Sequence, residues 1–305
     1  MHAHDHGHDH GHSHAAPTRS RAFLLGMALN AGFIAAEVVF GLRAHSLALL
    51  ADAGHNLGDV LGLGLAWGAY LLAQRPPTRR HTYGMRRASI LAALANALLL
   101  LVAVGGIAWE AVQRLGRPME VTGGVVMLVA GIGVIVNGAT ALLFLSGRKD
   151  DINIRGAFLH MAADAAVSLG VVLAGLVIMR TAWAWLDPAI SLAIGAVIVW
   201  GTWSLLRESL HLAMDAVPQG VDRMEVERYL ESLPGVTAVH DLHIWGMSTT
   251  EVALTAHLVK PDAEVDDALL ERVQRELHDR FRIEHITIQL ERGEGRCGQA
   301  HAGTV

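Results

Sequence analysis

The sequence predicts an α-helical membrane bundle of six transmembrane helices, followed by a small C-terminal α+β domain of order αββαβ. Three observations carry this expectation. Hydrophobic residues make up 52% of the 305 and the mean hydropathy is +0.37. Charged residues are only 17%, against roughly 25% in soluble domains. They are sparse up to Asp215 and dense after it, which separates a membrane region from a soluble one. Before that boundary lie six apolar segments, each long enough to cross a bilayer at about 1.5 Å per residue.

The chain opens MHAHDHGHDHGHSH, with no basic residue ahead of an apolar run, so no secretory signal is expected. His2, His4, His6, His8, His10, His12 and His14 alternate with Ala, Asp, Gly and Ser. Residues 1–20 are expected to form a disordered, cytoplasmic, metal-attracting tail. The membrane domain is placed at residues 21–212. Its apolar segments run approximately over 21–42, 46–73, 88–114, 120–146, 153–179 and 186–207. Ala88–Trp109, Val121–Gly147 and Pro188–Leu206 contain no Asp, Glu, Lys or Arg. The first, second and fifth segments carry Glu37, then Asp52 and Asp59, then Asp164. An ionisable group in hydrocarbon costs several kcal/mol, so each of these must face a partner or a polar cavity.

Loop charge orients the spans. Arg19, Arg21, Arg75, Arg79, Arg80, Arg86, Arg87, Arg148, Lys149 and Arg155 fall on one side, and only Arg43, Arg114, Arg117 and Arg180 on the other. The positive-inside rule makes the first side cytoplasmic, and an even number of spans puts both termini there. Abundant Gly and Ala suit close helix contact, with Asn96 and Asn137 as interhelical hydrogen-bonding groups. Residues 213–292 form the soluble domain. Val221–Ser232 reads as a helix ended by Pro234–Gly235, Val236–Trp245 and Thr250–Val259 as strands, Val265–Arg280 as a helix, and Ile283–Leu290 as a third strand. Residues 293–305 read as a disordered tail.

Composition excludes some chemistry. A formal net charge of −5 gives no case for nucleic acid as a partner. Cys297 is the single cysteine, so neither an intrachain disulfide nor an all-thiolate metal centre is possible. The 18 histidines point instead to imidazole ligation.

The motif that carries chemistry occurs twice, both times inside a span. His55 and Asp59 are four residues apart in the second segment, and His160 and Asp164 are four apart in the fifth. That spacing puts each pair on one helix face. Two such faces turned together supply two imidazole nitrogens and two carboxylate oxygens, a complete tetrahedral shell for zinc. All four groups titrate, so protons compete with the metal and metal–proton exchange follows as a mechanism. Asp52 reads either as a helix-end group near the outer entrance or as part of a hydration path. Glu37 is expected to meet Asn30 or water. An intramembrane metalloenzyme would need an open coordination position and a placed acid or base. No HExxH motif lies on a span, so no enzyme is expected. A membrane metal sensor would bind tightly without flux.

The segments SLALLADAGHNLGDVLGL, RRHTYGMRRASILAAL, NIRGAFLHMAADAAVSLGVVLAG, DPAISLAIGAVIVWGTWSLLRES and VHDLHIW together resemble the cation diffusion facilitator family, and within it the bacterial zinc exporters. The resemblance implies a homodimer in the bacterial inner membrane, each protomer with six spans and a metallochaperone-like cytoplasmic domain. It implies zinc efflux in exchange for protons by alternating access, with His55, Asp59, His160 and Asp164 as the transport quartet. His at the first position marks the zinc-preferring branch, with cadmium and cobalt as secondary ions. Of a loop site seen in some members His81 remains, with Thr78 and Met85 at the other ligand positions. In the cytoplasmic domain His240, His257 and Glu291 fall at metal-binding positions, with His243 and His285 nearby, and a zinc ion there would be regulatory. Arg87 and Asp215 match the two ends of a charge contact between bundle and cytoplasmic domain.

Overall fold

The computed structural model of the protein describes residues 31–117, 119–145, 152–261 and 267–293. The histidine-rich tail, Asn30 and Cys297 lie outside the described residues. Helix α1 is described over 31–43. It is followed by α2 (Leu47–Ala73), α3 (Ala88–Gly116), α4 (Gly123–Phe144), α5 (Ile152–Thr181) and α6 (Leu186–Ala213). The soluble part holds α7 (Arg223–Glu231), β1 (Ala238–Gly246), β2 (Val252–Val259), α8 (Asp267–Phe281) and β3 (His285–Glu291).

Among the described residues five helices, α2 to α6, are long and apolar enough to cross a membrane. The first predicted segment begins outside the described residues, and its described part is helical. Helix α6 runs six residues past the expected end at 207. An apolar run marks where a helix leaves hydrocarbon, not where its hydrogen bonding stops, and no Pro intervenes before Pro218.

The chain divides into two compact units. One comprises Met1–Leu57 with Ile107–Gly195, the other Gly58–Gly106 with Ala196–Val305. In the first unit α4 packs on α5 through glycine. A methyl group on Gly175 would lie 2.9 Å from the Gly123 carbonyl oxygen, and one on Gly123 would lie 2.7 Å from the Gly175 carbonyl oxygen. Only glycine at both positions admits that backbone approach. The start of α2 is held differently. Ser46 Oγ donates to Asp187 Oδ1, Leu47 N donates to Asp187 Oδ2 at 2.6 Å, and Ala48 N to Asp187 Oδ1 at 3.3 Å. These amides have no partner within their own helix, so a carboxylate from α6 replaces one. Arg114 closes the preceding turn by donating to the His45 carbonyl at 2.7 Å, where His45 takes a φ of 54°.

In the second unit α2 and α3 also meet at glycines. A methyl group on Gly62 would lie 2.8 Å from Asn96 Nδ2, so Asn96 packs flat against that helix. In the first unit Asn137 of α4 is buried, and its Nδ2 has no hydrogen-bond partner among the described residues. The sheet has strand order β1-β2-β3, with β1 and β2 antiparallel and β2 and β3 parallel. Asp222 caps α7 by accepting from Met224 N at 2.8 Å. Val226, Leu230, Leu254, Leu258, Val273 and Leu277 form the core between helices and sheet. This is the αββαβ order expected from periodicity.

The loop between α2 and α3 meets the soluble domain at several points within this unit. Arg86 pairs with Glu251 and Arg87 with Asp215. Thr249 N donates to Ser89 Oγ at 3.1 Å, and the Tyr83 and His285 rings meet edge-on at 5.3 Å. The half-exposed Arg87–Asp215 pair by itself contributes under about 1 kcal/mol.

Gly175→Ala is expected to lower stability by about 1–3 kcal/mol through overpacking, read as an earlier thermal unfolding transition in detergent. Gly105→Ala, where an added methyl group meets nothing within 4 Å, should instead leave the transition unchanged or raise it, since Ala favours a helix by about 0.5–1 kcal/mol.

Candidate metal centre

Helices α2 and α5 bring the two His–Asp motifs into play. Asp164 is 3% exposed, and its carboxylate lies between two imidazoles. His55 Nε2 is 3.5 Å from Asp164 Oδ1, and His160 Nε2 is 3.6 Å from Asp164 Oδ2. The two rings lie 6.0 Å apart at 71°. Ligands about 2.0–2.2 Å from zinc at tetrahedral angles are separated by about 3.3–3.6 Å. The observed gaps are long for hydrogen bonds and suit ligands grouped around one ion. Asp164 Oδ2 is buried and accepts no hydrogen bond among the described residues. A lone pair left open in this way is what a cation would take. Asp59, the fourth expected ligand, is half-buried one turn past His55 on the same helix.

A buried polar girdle adjoins the cluster. Asn56 Nδ2 donates to Glu37 Oε2 at 3.2 Å, and Ser168 Oγ donates to Asp52 Oδ2 at 3.1 Å. Glu37 and Asp52 are both fully buried. Asp52 is therefore a buried group in the second turn of α2, tied to the helix that carries Asp164. Glu37 finds its partner on α2. The sequence signal for that partner was present in Asn56, but its direction across the bundle was not.

The soluble domain holds a second cluster. His240 and His257 face each other in the β1–β2 register. Glu291 lies two residues past Gln289, the β3 partner of His257, and so on the same face. His240 Nε2 is 3.0 Å from Glu291 Oε2, and His257 Nδ1 is 3.0 Å from Glu291 Oε1. One ligand atom from each of the three lies within 4.8 Å of the others. Asp241 was not foreseen. It sits at the bulge in β1 with a φ of 52°, which turns its carboxylate to His257 Nε2 at 3.5 Å and His243 Nε2 at 2.8 Å. Asp241 makes its hydrogen bond to His243, and its other oxygen sets negative charge 3.5 Å from the second ring nitrogen of His257, where a carboxylate favours the ligating tautomer. The arrangement leaves His257 Nδ1 directed at the Glu291 side.

The remaining expected residues are placed apart. His81 is exposed in the loop after α2, where its backbone bonds with Thr78. Among the described residues it joins no cluster of three ligand-bearing side chains. His285 meets Tyr83 instead of the metal cluster.

Apolar helices long enough to cross a membrane, carrying a His–Asp cluster around a buried carboxylate, define a membrane protein that passes a divalent cation. Residues 23–212 match the cation efflux transmembrane domain, and residues 218–293 match the cytoplasmic domain of cation efflux proteins. The chain belongs to the cation diffusion facilitator family, whose members are transporters and not enzymes. It is 38% identical over 283 residues to the metal cation efflux system protein CzcD of Cupriavidus metallidurans, covering 92% of this chain and 89% of that one. It is 37% identical over 274 residues to the zinc transporter ZitB of Escherichia coli, covering 89% and 87%. To a cadmium, cobalt and zinc/H(+)-K(+) antiporter of Bacillus subtilis it is 32% identical over 276 residues, covering 89% and 88%. A solved structure of the metal-bound C-terminal domain of the Cupriavidus CzcD transporter is 40% identical, covering 23% of this chain and 99% of that one, with a TM-score of 0.22. The chain is thus a multi-pass membrane cation efflux protein.

Asp241→Asn should weaken zinc binding at the cytoplasmic cluster by about 10–100-fold. Calorimetric titration in an Asp164→Ala background isolates that cluster from the membrane one.

Proposed function

We propose that this protein exports zinc from the cytoplasm in exchange for protons, by alternating access through a tetrahedral site of His55, Asp59, His160 and Asp164. The observation that carries this reading is the Asp164 carboxylate between the two imidazoles, at 3.5 and 3.6 Å. Asp59, four residues past His55 on α2, would complete the shell.

Charge explains the exchange. Two carboxylates neutralise a divalent cation, so the loaded site carries little net charge into the bilayer. Emptied, two carboxylates in hydrocarbon cost several kcal/mol, and protons relieve that cost. Imidazole and carboxylate ligate only without their protons, so metal and proton contend for the same lone pairs. Protons arriving from outside displace the ion there, and ligands facing the cytoplasm lose their protons and take up metal.

The chain works as a homodimer in the bacterial inner membrane, with six spans per protomer and both termini cytoplasmic. Residues 21–212 form its membrane domain and residues 213–292 its cytoplasmic domain, with tails at 1–20 and 293–305. His240, His257 and Glu291 form a regulatory zinc site. The likeness to the zinc transporter ZitB supports zinc, and that to the Bacillus antiporter supports an antiport. The likeness to that cadmium, cobalt and zinc antiporter also favours a second reading, a broader exporter that takes cadmium and cobalt. The His–Asp ligand set separates these ions poorly.

Vesicles loaded with a zinc-sensitive dye and given a pH gradient test the reading. Wild-type protein should move zinc, and Asp164→Ala should fall to the level of protein-free vesicles. Equal flux from the two would sink the proposed centre. Running cadmium and cobalt in the same assay separates the two selectivities. In equilibrium binding, apparent zinc affinity should fall as pH is lowered. Affinity that does not change with pH would remove the case for exchange.

A further inference from the structure

A cavity of about 1320 Å³ in the second unit belongs to neither metal cluster's ligand set. Gly64, Gly68 and Leu72 of α2 line one side together with Leu91 of α3, and Arg80, Arg87 and Arg223 line another. Gly64 and Gly68 are one turn apart on the same helix face. A methyl group added to either would meet nothing within 4 Å. A strip of open space therefore runs along an apolar helix, and it leads to guanidinium groups beside the loop after α2.

The charge around the cavity is positive. The carboxylates of Glu251 and Asp215 are already taken by Arg86 and Arg87, and Arg223 is paired with Glu227 at 3.0 Å. Arg75, Arg79 and Arg80 are exposed and have no carboxylate partner among the described residues. By the positive-inside rule this is the cytoplasmic edge of the bilayer. Guanidinium groups recognise phosphate through paired N–H donors. Basic pockets beside transmembrane helices at that face suit anionic headgroups.

We propose that this cavity holds an anionic glycerophospholipid of the cytoplasmic leaflet. Its phosphate pairs with Arg80, and one acyl chain lies along the Gly64–Gly68–Leu72 face. A zwitterionic lipid would bring an ammonium group toward the same arginine. A second copy of the chain presenting this face would set like charges against each other. Neither matches the cavity as an anionic lipid does.

Native mass spectrometry of the full chain, purified and incubated with phosphatidylglycerol or phosphatidylcholine, reads the occupant directly. The wild type should retain phosphatidylglycerol preferentially. Arg80→Gln should cut that retention about fivefold, the effect of one arginine near a membrane surface. Gly68→Leu should cut it by filling the acyl groove, and excess inorganic phosphate should leave the lipid bound. Arg80 is exposed and a methyl group added at Gly68 meets nothing within 4 Å, and unchanged thermal unfolding without lipid would verify the fold of both variants. Equal retention of the two lipids by the wild type overturns the proposal irrespective of any variant. Displacement by inorganic phosphate, with Gly68→Leu without effect, would instead mark a free-phosphate site and overturn it too.

Discussion

A carboxylate within apolar helices is tolerable only where polar groups or a cation meet it, and Asp164 lies between two imidazoles. Its near-complete burial, with each oxygen beside a histidine nitrogen at 3.5 or 3.6 Å, ties α5 to α2. The same constraint accounts for the girdle. Asp52 is fully buried and accepts from Ser168, one turn beyond Asp164 on α5. Glu37 is fully buried and accepts from Asn56, the neighbour of His55. Each internal acid is thus joined to a helix that carries a candidate ligand. A transport site has to release its ion, and a shell closed on itself by short bonds would resist that. Contacts longer than hydrogen bonds leave the ligand atoms to be gathered by the cation.

Position along the helices matters as much as ligand chemistry. Helix α2 enters from a left-handed turn at His45, and its first amides end on Asp187. His55 therefore sits just over two turns from an anchored end. Helix α5 is set against α4 by the reciprocal contact of Gly123 and Gly175, where an added methyl group would strike main chain. Main chain cannot swing aside as a flexible side chain does. These two restraints lie at the end of the spans away from the basic loops, and neither involves a ligand.

The soluble domain uses β-sheet geometry for a comparable purpose. Cross-strand pairing puts His240 opposite His257, and a parallel third strand brings Glu291 to the same face. The bulge in β1 then turns Asp241 toward the far nitrogen of His257. On the other side of the same sheet, apolar side chains make the core with α7 and α8. The strand that ends in Glu291 begins with His285 against Tyr83, so one short element touches both the metal cluster and the loop after α2.

Local order was legible in the sequence because periodicity and charge are local properties. Five spans fall within a few residues of where apolar runs place them, and the αββαβ order follows from alternation and helical spacing. The His–Asp pairs were legible because four residues make one helical turn, whatever the surroundings. Only the tertiary structure decided which faces meet. Asp187 lies 140 residues from the amide it caps, and in sequence it is an acid at the start of its own helix. Asn56 joins Glu37 because two helices cross there, and Asp241 joins His257 because a bulge reverses one residue. Contacts of that kind depend on packing angles and single backbone torsions, which a one-dimensional pattern of apolar and polar residues does not encode.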